Sequence, residues 1–93
     1  MKLSKEAQRI FDEIADSYGI NDPGGRIILN EACKAFDVMQ MAQKEIDKHG
    51  LVAVGRYKQV KANPATAVLR DARSQFIQFM KLLRLDINYE DYK

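Results

Sequence analysis

Cysteine and histidine occur once each, as Cys33 and His49, and that scarcity excludes several kinds of chemistry. A single cysteine forms no disulfide within its chain and supplies no thiolate zinc cluster, so Cys33 is expected to be a buried, inert thiol. His49 closes a helical pattern with no serine or cysteine near it in sequence. It therefore offers no nucleophile and base pair, and a favourable interaction with the helix C-terminus accounts for it. No apolar run approaches the roughly 18–20 residues of a membrane span. The opening residues Met1-Lys2-Leu3-Ser4-Lys5-Glu6 turn polar too early for a secretory signal, so a cytoplasmic protein with no membrane partner is expected.

Other signatures are missing as well. Gly24-Gly25 lacks the spacing and the lysine of a phosphate loop. Asp12, Glu13 and Asp16 have carboxylates at helical spacing, as metal and acid/base sites do, but on a polar helix face such runs ordinarily meet solvent. No catalytic residue, metal ligand or cofactor site is assigned, and the chain does not read as an enzyme. The apolar patterns are too broad for the two-position seam of a coiled coil.

What remains is helix on either side of one short segment. The chain of 93 residues is one domain with a modest core, since a chain this short buries only about 60–65% of the surface its unfolded form exposes. Ser4 reads as an N-cap, Ala7, Ile10, Phe11, Ile14, Ala15 and Tyr18 follow on one face, and Gly19 with Ile20 makes a Schellman-type stop. After Asn21-Asp22-Pro23-Gly24-Gly25, where Asp22-Pro23 either caps the next helix or turns ahead of it, a long second helix is predicted from about Arg26 to His49. Gly50 ends it. Leu51 to Val54 is β-prone, Gly55-Arg56 can turn and Lys58 to Lys61 offers a return strand, which makes a small hairpin the best local reading. Asn63-Pro64 then starts a third helix, with Asn as cap and Pro at the first helical position. The fold class is mainly α, a three-helix subunit with a long central helix and a short hairpin or extended segment between helices 2 and 3.

Two features point toward function. On helix 2, Ile28, Ala32, Ala35, Phe36, Met39, Ala42 and Ile46 form the main stripe, while Ile27, Leu29, Val38 and Met41 fall outside it. A helix apolar on more than one face is usually buried on more than one side. The second set is therefore expected to meet another copy of the chain, a hairpin packed there being the plainer account. The other feature is charge. Up to His49 acids slightly outnumber bases, whereas from Gly50 to Leu85 the bases Arg56, Lys58, Lys61, Arg70, Arg73, Lys81 and Arg84 face Asp71 alone. Arg70, Arg73, Lys81 and Arg84 fall within roughly 80° of one another on a helical wheel. With Arg56, Lys58 and Lys61 near the helix N-terminus, this ridge can track a phosphate backbone or, more simply, pair with acids and solvent.

A long helix stopped at Gly50, a short basic extended segment, Lys61-Ala62-Asn63-Pro64-Ala65, a third helix and a Leu83-Arg84-Leu85 finish resemble the small terminase subunits of tailed bacteriophages. The likeness spans roughly Leu3 to Leu85, taken as one domain (3–85), with an acidic and aromatic tail at 86–93. It implies a helical, non-catalytic subunit that assembles into a ring, binds viral double-stranded DNA and presents it to the large terminase subunit, which holds the ATPase and nuclease activities. Gly50, Asn63 and Pro64 carry over as structural signature residues. Arg84 stands where members often have the glycine of Leu-Gly-Leu. Two other readings compete with this one: an oligomeric protein-interaction adaptor that ignores DNA, and a small dimeric DNA-binding regulator. A usual helix-turn-helix pair is not evident, because helix 2 is too long for the second helix.

Overall fold

The computed structural model describes residues 2–54 and 60–83. Three helices, α1 (Lys5–Ser17), α2 (Pro23–His49) and α3 (Pro64–Leu82), enclose one hairpin of β1 (Val52–Val54) and β2 (Val60–Ala62). The mainly helical fold class is as expected.

Each boundary has a local cause. The Ser4 hydroxyl accepts the Ala7 amide at 3.1 Å and caps α1. At the other end Gly19 takes φ 62, and the amides of Ile20 and Gly19 donate to the Ala15 and Asp16 carbonyls at 2.9 and 3.4 Å. That pair of bonds is the Schellman stop, with Ile20 buried as its apolar partner.

Helix α2 begins at Pro23, three residues ahead of the expected Arg26. Two glycines argue against helix in an interior, but here they occupy the first turn, where Asp22 caps the helix and Pro23 is pre-set for it. The Gly25 amide donates to Asp22 Oδ2 at 2.8 Å. At the far end Gly50 has φ 83 and ψ 176, and its amide donates to the Ile46 carbonyl at 2.7 Å. The positive φ is what a glycine tolerates, while the extended ψ sends the chain outward into β1.

The hairpin is antiparallel, with Val52 opposite Ala62, Ala53 opposite Lys61 and Val54 opposite Val60. Its return strand runs to Ala62, one residue beyond the expected Lys61, because Asn63 donates its own amide to the Leu51 carbonyl at 2.9 Å and holds the register up to the helix cap. Lys58 and Gln59, which begin the expected return strand, lie outside the described residues, as do Gly55-Arg56 of the expected turn.

The core gathers Ala7, Phe11 and Ala15 of α1, Ile20, Leu29, Ala32 and Cys33 around α2, and Met80 of α3. Phe36 and Phe76 close its flank with ring centroids 6.3 Å apart. Arg26 stacks over Phe11 at 5.2 Å and donates to the Ile20 carbonyl at 3.0 Å, fastening the α1–α2 connector. Beyond this core α2 and α3 continue as a two-helix hairpin. The result is elongated, 54 × 31 × 18 Å, with a radius of gyration of 16.0 Å. A compact domain of this length has about 12 Å.

Candidate nucleic-acid interface

The segment between α2 and α3 is fixed by Asn63, which is buried. Its amide nitrogen Nδ2 donates to the Gly50 carbonyl at 2.8 Å, its Oδ1 accepts the Ala65 amide at 3.0 Å, and its carbonyl accepts the Thr66 hydroxyl at 2.8 Å. One side chain therefore caps α3 and ties it to the last residue of α2's stop. With Pro64 at the first helical position, the direction in which α3 leaves the hairpin is set. Gly50, Asn63 and Pro64 meet at this junction.

That direction decides how α3 presents its charges. Ala72, Met80, Phe76 and Phe79 face the rest of the protomer, and Arg70, Arg73 and Lys81 stand exposed on one flank. Along the axis Arg70 and Lys81 are about 16 Å apart, a reach of roughly five base-pair steps at 3.4 Å each. Arg70 touches Asp71 at 3.3 Å, but both side chains are solvent-exposed and such a pair is weak and screened. Lys61 is exposed on β2, two residues before the Asn63 cap. Arg56, Lys58 and Arg84 lie outside the described residues.

The opposite flank of α3 is apolar. Val68 lies roughly 140–160° around the helix from Arg70, Arg73 and Lys81. It lines, with Ala65, a shallow groove shared with Val38, Met41 and Ala42 of α2. Ile27, Leu82, Met41 and Val68 are 64%, 64%, 53% and 46% exposed. Val38 is half-buried. Of the residues assigned to the second face of α2, Leu29 is placed otherwise: it is 0% exposed, inside the protomer's own core. The reason is geometric, since two residues of helix turn Leu29 about 200° from Ile27. Val68 of α3 lies at the edge of that helix's packed face rather than within it.

His49 and the carboxylates of α1 lie at separate places. His49 Nε2 lies 3.4 Å from Glu45 Oε2, both exposed, at the end of α2. Asp12, Glu13 and Asp16 border an open recess with Arg26 and Asn21. Among the described residues no group of three or more His, Cys, Asp or Glu is arranged to hold a metal ion, and no helix is long and apolar enough to cross a membrane. Cys33 is buried, as expected, and burial first, then the charges of Asp37 and Asp12, push its thiol up to about 11. Such a thiol is a poor nucleophile at neutral pH.

A family model described as phage terminase, small subunit, matches residues 4–91 of the chain. The chain belongs to that family. Terminase small subunits serve phage DNA packaging and are generally not catalysts. No curated protein and no solved structure matches the sequence significantly. For a terminase small subunit, the separation of a basic flank from an apolar flank on one helix is the arrangement of most interest. The basic flank was legible as a wheel pattern, whereas the contribution of Val68 and Leu82 to the exposed apolar side carried no sequence signal distinguishing it from core.

Proposed function

We propose that this terminase small subunit assembles into a ring, binds viral double-stranded DNA and presents it to the large terminase subunit, which carries the ATPase and nuclease activities. The observation supporting this reading is the two-sidedness of the α2/α3 hairpin. Ile27, Val38, Met41, Val68 and Leu82 leave apolar surface uncovered on one side, and Arg70, Arg73 and Lys81 stand on the opposite flank of α3. Scattered exposed apolar residues are ordinary, but a groove to which Val38, Met41 and Val68 contribute in a thin protomer is the kind of surface a second copy covers. When neighbours share that surface, the basic flanks repeat around the assembly. Each copy then needs only a few phosphate contacts, because linked weak contacts give a large combined affinity. Arg56 and Lys58 are proposed to join Lys61, Arg70 and Arg73 in these contacts.

Native mass spectrometry at near-physiological salt tests the assembly. The natural chain is expected as a closed species of many copies, and a variant carrying Met41→Asp and Val68→Asp as a folded monomer. A natural chain that stays monomeric at high concentration would overturn the reading.

A further inference from the structure

One recess touches the surface assigned to assembly only at Met41. It lies between the start of α1 and the middle of α2, has a volume of about 470 Å³, and is lined by Lys2, Lys5 and Lys44 together with Glu6, Gln40 and Met41. The three lysines come from places about 40 residues apart in a half of the chain that is acidic on balance, and the fold alone brings them to one rim. Asp37 also borders the recess, but both of its carboxylate oxygens already accept hydrogen bonds from Ser4. Its charge is thereby largely satisfied within the protomer.

We propose that this recess receives the segment Tyr89-Glu90-Asp91-Tyr92 of its own chain. Charge is the first argument: three ammonium groups with one exposed carboxylate, Glu6, among them leave two positive charges, which Glu90 and Asp91 match. Shape chemistry is the second. Met41 and the methylene stems of the lysines make apolar walls below charged heads, a surface that accepts tyrosine rings beneath cations. A phosphate backbone satisfies the charge and leaves the apolar wall unused.

Reach is the third argument. Leu83 packs on the same core cluster as Leu29. From the level of Leu29 to that of Met41 is about 18 Å along α2, and the six residues from Leu83 to Tyr89 span up to about 20 Å when extended, which brings residues 89–92 to the recess and leaves Asp86 short of it.

Zero-length carbodiimide cross-linking of the full chain at low salt, followed by mass spectrometry, tests the inference. Amide links are expected from Lys2, Lys5 or Lys44 to Glu90 or Asp91, falling several-fold when Tyr89→Ala and Tyr92→Ala remove the rings and keep the charges. Links from the tail carboxylates mainly to Lys48, Lys61 or Lys81, or links indifferent to the tyrosine changes, would overturn it. So would protection of Lys2, Lys5 and Lys44 from acetylation by duplex DNA in a chain whose tail forms no link there, which would assign the recess to nucleic acid.

Discussion

Ser4 gives both of its hydrogens to Asp37: the backbone amide donates to Oδ2 at 2.8 Å and the hydroxyl donates to Oδ1, while the same hydroxyl accepts the Ala7 amide. The carboxylate is 7% exposed, and no cation pairs with it among the described residues. A residue that caps α1 is thus bolted to the middle of α2, which fixes where the shortest helix sits on the longest.

Replacing Asp37 by Ala leaves the Ser4 amide and hydroxyl without their acceptor. A charge-assisted hydrogen bond contributes about 1.5–3 kcal/mol, and because water can reach the exposed Ser4 once its acceptor is gone, Asp37→Ala should lose about the lower end of that range in urea unfolding. Asp37→Asn restores one acceptor and should recover part of the loss. A change below about 0.5 kcal/mol would show that α1 is held by its apolar face alone.

Asn63→Ala removes the α3 cap and the bond to the Gly50 carbonyl together. A cap alone is worth about 1 kcal/mol, and the second bond should bring the loss to about 2 kcal/mol. Asn63→Asp is the more telling variant, because it keeps the cap and turns a donor into an acceptor facing the Gly50 carbonyl. It should remain destabilised by thermal unfolding; full stability in Asn63→Asp would contradict a clamping role.

The two glycines of α2's first turn should respond oppositely to alanine. A Cβ on Gly25 would stand 2.8 Å from Asp22 Oδ1 and 3.0 Å from Ile20 Cγ2, whereas on Gly24 the nearest neighbour is Asp22 Oδ2 at 3.7 Å. Gly24→Ala should therefore stabilise by about 0.5–1 kcal/mol, and Gly25→Ala should destabilise by breaking the Asp22 cap. Equal effects in calorimetry would mean that the close approach at Gly25 is not needed.

The Cys33 thiol gives a pH signature. Its folded value of about 11 lies above the ordinary 9.0, so the native state holds the proton more tightly than the unfolded chain. The stabilisation is complete below pH 9 and is lost as pH rises through 11, an amount on the order of 2–3 kcal/mol at about 1.4 kcal/mol per unit. The stability of the natural chain should fall more steeply between those values than that of Cys33→Ala, and iodoacetamide should react with Cys33 only on unfolding. Parallel pH profiles for the two chains would sink this assignment.

Much of the fold was legible because its boundaries are local. Ser4, Gly19, Gly50 and Asn63-Pro64 act through bonds to residues a few positions away, and each does in the structure what its residue type does anywhere. Asp22 and Gly25 are also local, yet the start of α2 was placed late because two glycines outweighed the cap and proline before them. The interface residues were harder. Leu29 and Ile27 differ in the sequence only by position, and which of them is covered depends on where α1 lies across α2. That placement rests on Ser4 and Asp37, 33 residues apart, with nothing in either to announce the other. For the same reason the meeting of Lys2, Lys5 and Lys44 could not be read from charge along the chain.

The central claim is tested most directly by titrating duplex DNA with the natural assembly and with a variant carrying Lys58→Gln, Lys61→Gln, Arg70→Gln and Arg73→Gln, across a salt series. With several copies contacting phosphates, affinity should fall by orders of magnitude between about 50 and 200 mM salt. The variant, still assembled by native mass spectrometry, should bind more weakly with a shallower salt dependence. Affinity that ignores salt, or an assembled variant that binds as tightly as the natural chain, would contradict the account.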